Sequence, residues 1–177
     1  MRIINGIHKG KSIIAPKDLP VRPTTDFAKE GLFNILTNEF DIDHLEVLDL
    51  FSGTGNIAFE FASRGAKKIL CIDANYHCVS FIKKTSNSLN FKQLSVFKND
   101  VFKYLKQYTQ SFDLIFADPP YDLKEIPVIP QLVFDNKLLN KDGWLIVEHD
   151  KRTDLSDHSN FVVQRKYGNV HFSIFQH

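Results

Sequence analysis

The segment Glu46-Val47-Leu48-Asp49-Leu50-Phe51, running directly into Ser52-Gly53-Thr54-Gly55-Asn56, limits the folds open to this chain more than any other feature. It is a short, mostly apolar strand, and beyond the glycines Ile57, Ala58, Phe61 and Ala62 recur at helical spacing. Strand, glycine turn and helix follow one another without a gap. Glycine permits a tight turn with positive φ and lets a ligand approach the backbone, while free amides at the helix start attract an anionic group.

Later strand ends repeat the theme with acids. Eighteen residues after Gly55, the apolar stretch Ile69-Leu70-Cys71-Ile72 ends in Asp73, where a carboxylate can accept from both hydroxyls of a ribose. A third strand, about Leu94 to Lys98, ends at Asn99-Asp100, within reach of an adenine amine of the same nucleoside. The fourth, Phe112 to Ala117, ends in Asp118-Pro119-Pro120-Tyr121. Two prolines remove two backbone donors and force extended geometry, which leaves nearby carbonyls free to accept from a substrate amine. Asp118 adds a carboxylate acceptor and Tyr121 a ring for stacking, a contact that contributes roughly 1–3 kcal/mol per base. A plain Pro-Pro loop would carry the same punctuation without the chemistry. Ligands of open α/β sheets bind at the carboxyl ends of the strands, where all four features fall.

The remaining layout is regular. Thr25 or Asp26 can cap a helix running to about Glu39, and strands near 46, 69, 94, 112, 144, 161 and 170 alternate with helices until the last two. Those two, Phe161 to Lys166 and Val170 to Phe175, flank Tyr167-Gly168-Asn169 and read as a hairpin. The expected fold is α/β, with a seven-stranded, mostly parallel sheet ending in an antiparallel strand. Gly6 and Gly10 mark turns of a small amino-terminal hairpin. The chain divides into an arm, residues 1–24, and a main domain, residues 25–177, with Leu19 to Thr24 as the linker. At 177 residues and 43% hydrophobic content, one well-buried core is the expectation.

Charge is unevenly spread. Residues 1–25 carry a net +4 and the rest −3, a footprint that suits phosphate contacts or, more plainly, a solvated basic face. No apolar run approaches the length of a membrane span, and the start lacks a signal peptide's features, so a cytosolic protein is expected. Cys71 and Cys78 read as reduced thiols in or near the core, without metal-site spacing. His149, just past the strand Trp144 to Glu148, reads as a polar loop residue.

Gly53, Gly55 and Ala58 also fit a dinucleotide fingerprint, with Asp73 at the expected distance. Nearly fifty residues precede that strand, however, no second domain follows to hold a hydride acceptor, and the Asp118 segment has no use in a dehydrogenase.

Asp49-Leu50-Phe51-Ser52-Gly53-Thr54-Gly55 followed by Asp118-Pro119-Pro120-Tyr121 resembles the S-adenosylmethionine-dependent amino-methyltransferases of the Rossmann-like class. Arg2-Ile3-Ile4-Asn5-Gly6, Lys9-Gly10-Lys11, Arg22-Pro23-Thr24-Thr25-Asp26 and Lys29-Glu30-Gly31-Leu32-Phe33-Asn34 narrow the resemblance to the bacterial 16S rRNA guanine-N2 methyltransferases, over essentially the whole chain. Phe27 departs from that pattern, in which a basic residue is common. The resemblance implies S-adenosylmethionine held by Asp49, Phe51, Ser52, Gly53, Gly55, Asn56, Asp73, Ala74, Asp100 and Val101, and catalysis by Asp118, Pro119, Pro120 and Tyr121. It implies RNA contacts at Arg2, Lys9, Lys11, Arg22 and Thr24, no metal, and a monomer acting on 16S rRNA in small-subunit (30S) particles. Glu30 or Asn34 would hold the first helix against the site. A DNA adenine-N6 methyltransferase would usually need an added recognition region, and a protein-glutamine methyltransferase would typically carry Asn in place of Asp118. A catalytically idle RNA-binding or assembly module fits poorly with intact acidic strand ends.

Overall fold

Seven strands form one sheet: β1 (Glu46–Leu50), β2 (Lys68–Asp73), β3 (Leu94–Lys98), β4 (Phe112–Ala117), β5 (Leu139–His149), β6 (Phe161–Tyr167) and β7 (Val170–Phe175). Among the described residues five α-helices accompany them: α1 (Asp26–Glu39), α2 (Asn56–Ser63), α3 (Tyr76–Ser88), α4 (Val101–Gln107) and α5 (Val128–Asp135). The structure is a computed structural model and describes residues 1–16, 19 and 24–177. Four of the six linker positions, Pro20 to Pro23, lie outside the described residues, and Arg22 with them.

The strand order is β3-β2-β1-β4-β5-β7-β6, so the winding direction reverses between β1 and β4. Adjacent loops diverge at such a reversal and leave a crevice beyond the strand ends. Strands β1 to β5 are mutually parallel, while β7 runs antiparallel to both β5 and β6. The antiparallel strand expected last in the chain is therefore wedged between its neighbours, and β6 forms the sheet's edge.

The central strands are buried on both faces, which explains why they read as continuous apolar runs. Leu32, Phe33 and Leu36 of α1 pack with α2 against Val47, Phe116 and Ile146 on one face. Ile129 and Val133 of α5, with Leu105 of α4, cover Leu48, Ile115 and Val147 on the other. Thr25 caps α1, its hydroxyl oxygen accepting from the Ala28 amide at 3.2 Å. Strand β5 begins at Leu139, earlier than its apolar run suggests, because its pairing with β4 shifts register between Phe112 and Leu114. Asp142, at φ 65°, sits within that irregularity.

His149 differs from expectation. It is the last residue of β5 and fully buried, with Nε2 bonded to Ser173 Oγ at 2.8 Å and Nδ1 to the Asp150 carbonyl at 2.8 Å. A carbonyl only accepts, so Nδ1 carries the proton and Nε2 accepts from Ser173. Pairing with β7, invisible in the local sequence, is what buries it. Cys71 and Cys78 are buried free thiols, and burial pushes the Cys78 thiol up to about 11. Among the described residues no helix is long and apolar enough to cross a membrane.

Residues 1–13 fold back on themselves through a bridge between Arg2 and Ser12, with Ile3 and Ile13 buried in the core beneath α1. Glu60 of α2 accepts from the Ile4 and Asn5 amides at 2.8 and 3.0 Å. The Ile7 amide donates to the Ser63 carbonyl at 2.8 Å, and Ser63 Oγ donates to the Asn5 carbonyl at 2.7 Å. Gly6 lies between these contacts at φ 85°, where a Cβ would overlap the Ser63 carbonyl. Gly6→Ala is expected to destabilise the protein by about 2 kcal/mol in urea unfolding and to expose the first sixteen residues to protease. Unchanged unfolding would mean that this contact contributes little.

Candidate active site

Strand β1 runs out at Leu50, and the backbone turns through a run of positive φ: Phe51 at 57°, Gly53 at 53° and Gly55 at 74°. Phe51 is the outlier, since a bulky side chain there costs on the order of 1–3 kcal/mol, and such strain collects at ligand sites. Its ring meets Phe102 edge-on at 6.1 Å. The Gly55 amide closes the turn onto the Ser52 carbonyl at 2.7 Å, and a Cβ on Gly55 would press on Ile82 and Phe59. Asp73 secures the turn from the next strand. One carboxylate oxygen accepts from the Gly53 amide and the other from the Asn75 amide, each at 2.8 Å. Both oxygens keep lone pairs for further donors, although burial raises the Asp73 pKa.

Register then places three carboxylates together. Asp49 pairs with Phe116, and Phe116 with Ile146, so these residues share one sheet face. Two residues beyond Phe116 is Asp118, and two beyond Ile146 is Glu148. Asp49, Asp118 and Glu148 therefore point to the face that α1 covers, at the ends of three adjacent strands. Asp49 Oδ2 is buried with no hydrogen-bond partner, and burial pushes its carboxyl up to about 8. Burial also holds Asp118 well above the usual range, helped by the charges of Glu148 and then Asp49.

Glu148 is 2% exposed and accepts two hydrogen bonds, from Tyr121 Oη at 2.7 Å and Thr24 Oγ1 at 2.8 Å. Asn56 in turn donates to the Thr24 carbonyl at 2.9 Å and accepts from the buried Lys29 Nζ at 2.8 Å. Residues 24 and 25 are thereby pinned across the carboxyl edge of the sheet.

These groups line one cleft of about 520 Å³, a volume that suits a nucleoside-sized ligand. Its floor holds Asp49, Asp118 and Glu148, and the turn from Phe51 to Asn56 forms one end. At the mouth, Pro119, Pro120, Tyr121 and Arg152 face Phe27 and the tip of the β6–β7 hairpin. Phe27 is 68% exposed and meets Tyr167 edge-on at 5.9 Å, while the Tyr167 hydroxyl donates to the Gly31 carbonyl at 3.2 Å.

The cleft thus gathers Asp49, Phe51, Ser52, Gly53, Asn56, Asp118, Pro119, Pro120, Tyr121 and Thr24. Gly55, Asp73, Ala74, Asp100 and Val101 lie outside its lining. Gly55 and Asp73 shape it from behind. Asp100 is exposed and caps α4, one oxygen accepting from the Lys103 amide at 2.8 Å; Val101 is buried and Ala74 exposed. Lys9 and Lys11 are exposed on the arm, and Arg2 lies 3.5 Å from Asp26 in an exposed ion pair. Glu30 and Asn34 are exposed and do not hold α1 in place; Lys29, the residue before Glu30, is turned inward for that task. Glu148, Lys29, Arg152 and Tyr167 were given no site role by the motifs, although Lys29 stands in the first-helix motif, Tyr167 in the hairpin turn and Glu148 at the end of an apolar strand. Among the described residues, no group of three or more His, Cys, Asp or Glu could hold a metal ion.

Comparison with known proteins gives a consistent picture. The family described as conserved hypothetical protein 95 matches residues 1–176. YlbH of Bacillus subtilis, provisionally named an rRNA methyltransferase, is 32% identical over 99% of this chain and 98% of its own length. Ribosomal RNA small subunit methyltransferase D of Haemophilus influenzae is 30% identical over 99% of this chain and 93% of its own. The solved structure of Escherichia coli yhhF, provisionally named a methyltransferase, superimposes with a TM-score of 0.87 at 26% identity, covering 99% of this chain and 97% of that one.

The buried acids make the cleft sensitive to pH. The Asp49 carboxyl is raised to about 8 when folded and ionises near 4 when unfolded. Its contribution to stability is therefore complete below about pH 4 and lost as pH rises through about 8. Asp49→Asn, which cannot ionise, should match the parent at pH 4 and gain on the order of a few kcal/mol by pH 8.5. Parallel stability–pH curves for the two proteins in urea titrations would contradict this.

Proposed function

Since this chain belongs to the conserved hypothetical protein 95 family and has rRNA methyltransferases among its full-length relatives, we propose that it methylates the exocyclic N2 amine of one guanine in 16S rRNA, using S-adenosylmethionine in an assembled small-subunit particle. The observation that carries this reading is the opening of Asp118 and the glycine turn onto a single cleft.

The residues present fit the cofactor. Asp49 Oδ2, a buried acceptor without a partner, suits the ammonium of the methionine end, beside Phe51, Ser52, Gly53 and Asn56. Asp73 keeps acceptor capacity for ribose hydroxyls, and the free oxygen of Asp100 for the adenine amine. When bound, S-adenosylmethionine supplies an electrophilic methyl on a sulfonium.

What the chain must do is align and accept. Guanine N2 is a weak nucleophile because its lone pair is delocalised into the ring, so orientation of the amine carries much of the rate. Asp118 and a carbonyl near Pro119 accept from the amine hydrogens, which aims the nitrogen and favours the positive charge that grows on it. Asp118 then takes the proton the nitrogen sheds. Tyr121, held by Glu148, offers its ring to the base. A base must leave its stack to enter, at a cost of a few kcal/mol that is least in a loop or single strand. Phe27 and Tyr167 at the mouth give neighbouring unpaired bases an aromatic surface, and Lys9 and Lys11 suit phosphate.

Incubation with methyl-labelled cofactor and 30S particles, naked 16S rRNA or duplex DNA, followed by mass spectrometry of nucleosides, should yield N2-methylguanosine from the ribosomal substrates alone. N6-methyladenine from the duplex would overturn the proposal. Asp118→Ala should cut turnover at least about a hundredfold while leaving cofactor affinity nearly unchanged. Lys9→Glu with Lys11→Glu should weaken RNA binding and flatten its salt dependence; equal binding across a salt series would remove the arm from the RNA footprint.

A further inference from the structure

Resting on the amine-methylation reading above, we propose that Glu148 is a positioning residue: its carboxylate holds the Tyr121 ring and the Thr24 hydroxyl in place, and it is the fixed negative charge beside Asp118 that makes Asp118 an effective proton acceptor. Three observations meet at this residue. Strand register puts Glu148 on the same sheet face as Asp118, at the end of the adjoining strand. Its two oxygens are each occupied by a hydroxyl, Tyr121 Oη at 2.7 Å and Thr24 Oγ1 at 2.8 Å. It is buried in the floor of the cleft, where charges interact more strongly than in water.

The hydroxyls decide which acid is ionised. Tyrosine and threonine both donate to Glu148, one to each oxygen, and an ionised carboxylate satisfies both donors without a proton of its own. Asp118 faces that charge from β4, faces Asp49 from β1, and has Thr24 as its hydroxyl neighbour. Burial raises both acids, but the two donated hydrogen bonds oppose that shift at Glu148 while the charges of Glu148 and Asp49 add to it at Asp118, so the proton of the pair resides on Asp118. Among the described residues, Arg152 is the one cationic side chain lining the cleft. It is committed to Asp150 at 2.6 Å and reaches the Tyr121 carbonyl at 3.4 Å, so it does not neutralise Glu148.

The consequence is chemical. As the amine nitrogen bonds to the methyl carbon, the carbon–sulfur bond pair leaves with sulfur, which becomes a neutral thioether, and the nitrogen becomes cationic. An N–H bond then breaks, its electrons returning to nitrogen and its proton passing to an Asp118 oxygen, from which water removes it. A carboxylate with high proton affinity performs that transfer better than an ordinary one. Arrival of a sulfonium cation favours ionised Asp118, so the acceptor is readied only when the donor is in place.

The test compares the parent protein with Glu148→Gln, which can keep a contact to each hydroxyl but carries no charge, and with Glu148→Asp, which keeps the charge. Carbon-13 carboxyl resonances of aspartate are followed through a pH titration of the ligand-free protein, with Asp118 assigned through Asp118→Asn. The Asp118 midpoint should fall by about one unit or more in Glu148→Gln and much less in Glu148→Asp. The acid limb of the kcat–pH profile should move the same way, with KM for the RNA changing less than about twofold. An unmoved Asp118 midpoint, or an effect confined to KM, would overturn the assignment. Because the titration needs neither RNA nor cofactor, it stands or falls separately from the choice of substrate.

Discussion

One buried ammonium joins the parts on which the cleft depends. Lys29 is 1% exposed, and its Nζ donates to the Arg2 carbonyl at 2.6 Å and Asn56 Oδ1 at 2.8 Å while lying 3.6 Å from Glu60, itself fully buried. Burial lowers the Lys29 pKa and Glu60 opposes that shift, so the charge persists because it is paired. Glu60 is saturated in turn by two arm amides and by Arg64, whose guanidinium lies 4.5 Å over the Phe33 ring. Removing one member of such a network leaves the others buried without partners, at a cost of roughly 3–5 kcal/mol. The arm, α1, α2 and the end of the glycine turn are thus held in register by a single ionic junction.

The opposite condition prevails at the cleft floor. Asp49, Asp118 and Glu148, with Asp73 behind the glycine turn, are all shifted toward the neutral form by burial, and among the described residues the one cation on the cleft's lining is engaged elsewhere. The floor is therefore electrostatically frustrated without a ligand, as functional sites often are. A cationic ligand would relieve it, and the strain at Phe51 belongs to the same bargain between stability and function. Lys29 with Glu60 stabilises the scaffold; the acids of the cleft floor have no such cationic partner among the described residues.

Much of the architecture was legible because local and global preferences agree. The seven strands appear where apolar runs ended in turn residues, and Thr25 caps α1 as its spacing suggested. Leu139 to Gly143 was missed because a register irregularity breaks the apolar pattern of β5. His149 was misjudged because its surroundings come from β7, more than twenty residues on. Among the residues lining the cleft, those carried by contiguous motifs were readable, including Asp118, Tyr121 and Gly53. Lys29 stands in a family motif, but its burial gave no signal, since a lysine on an amphipathic helix is ordinarily solvated.

Sequence alone determined the order of strands and helices, the glycine turn and the acids at the strand ends, because each depends on backbone preferences and spacing within a few residues. Tertiary structure decided that β7 is wedged inside the sheet, that Lys29 is turned inward, and that Glu148 joins Asp118 and Tyr121. These outcomes rest on register between strands distant in the chain and on charges whose cost depends on what surrounds them, and neither quantity is written in any local stretch of residues.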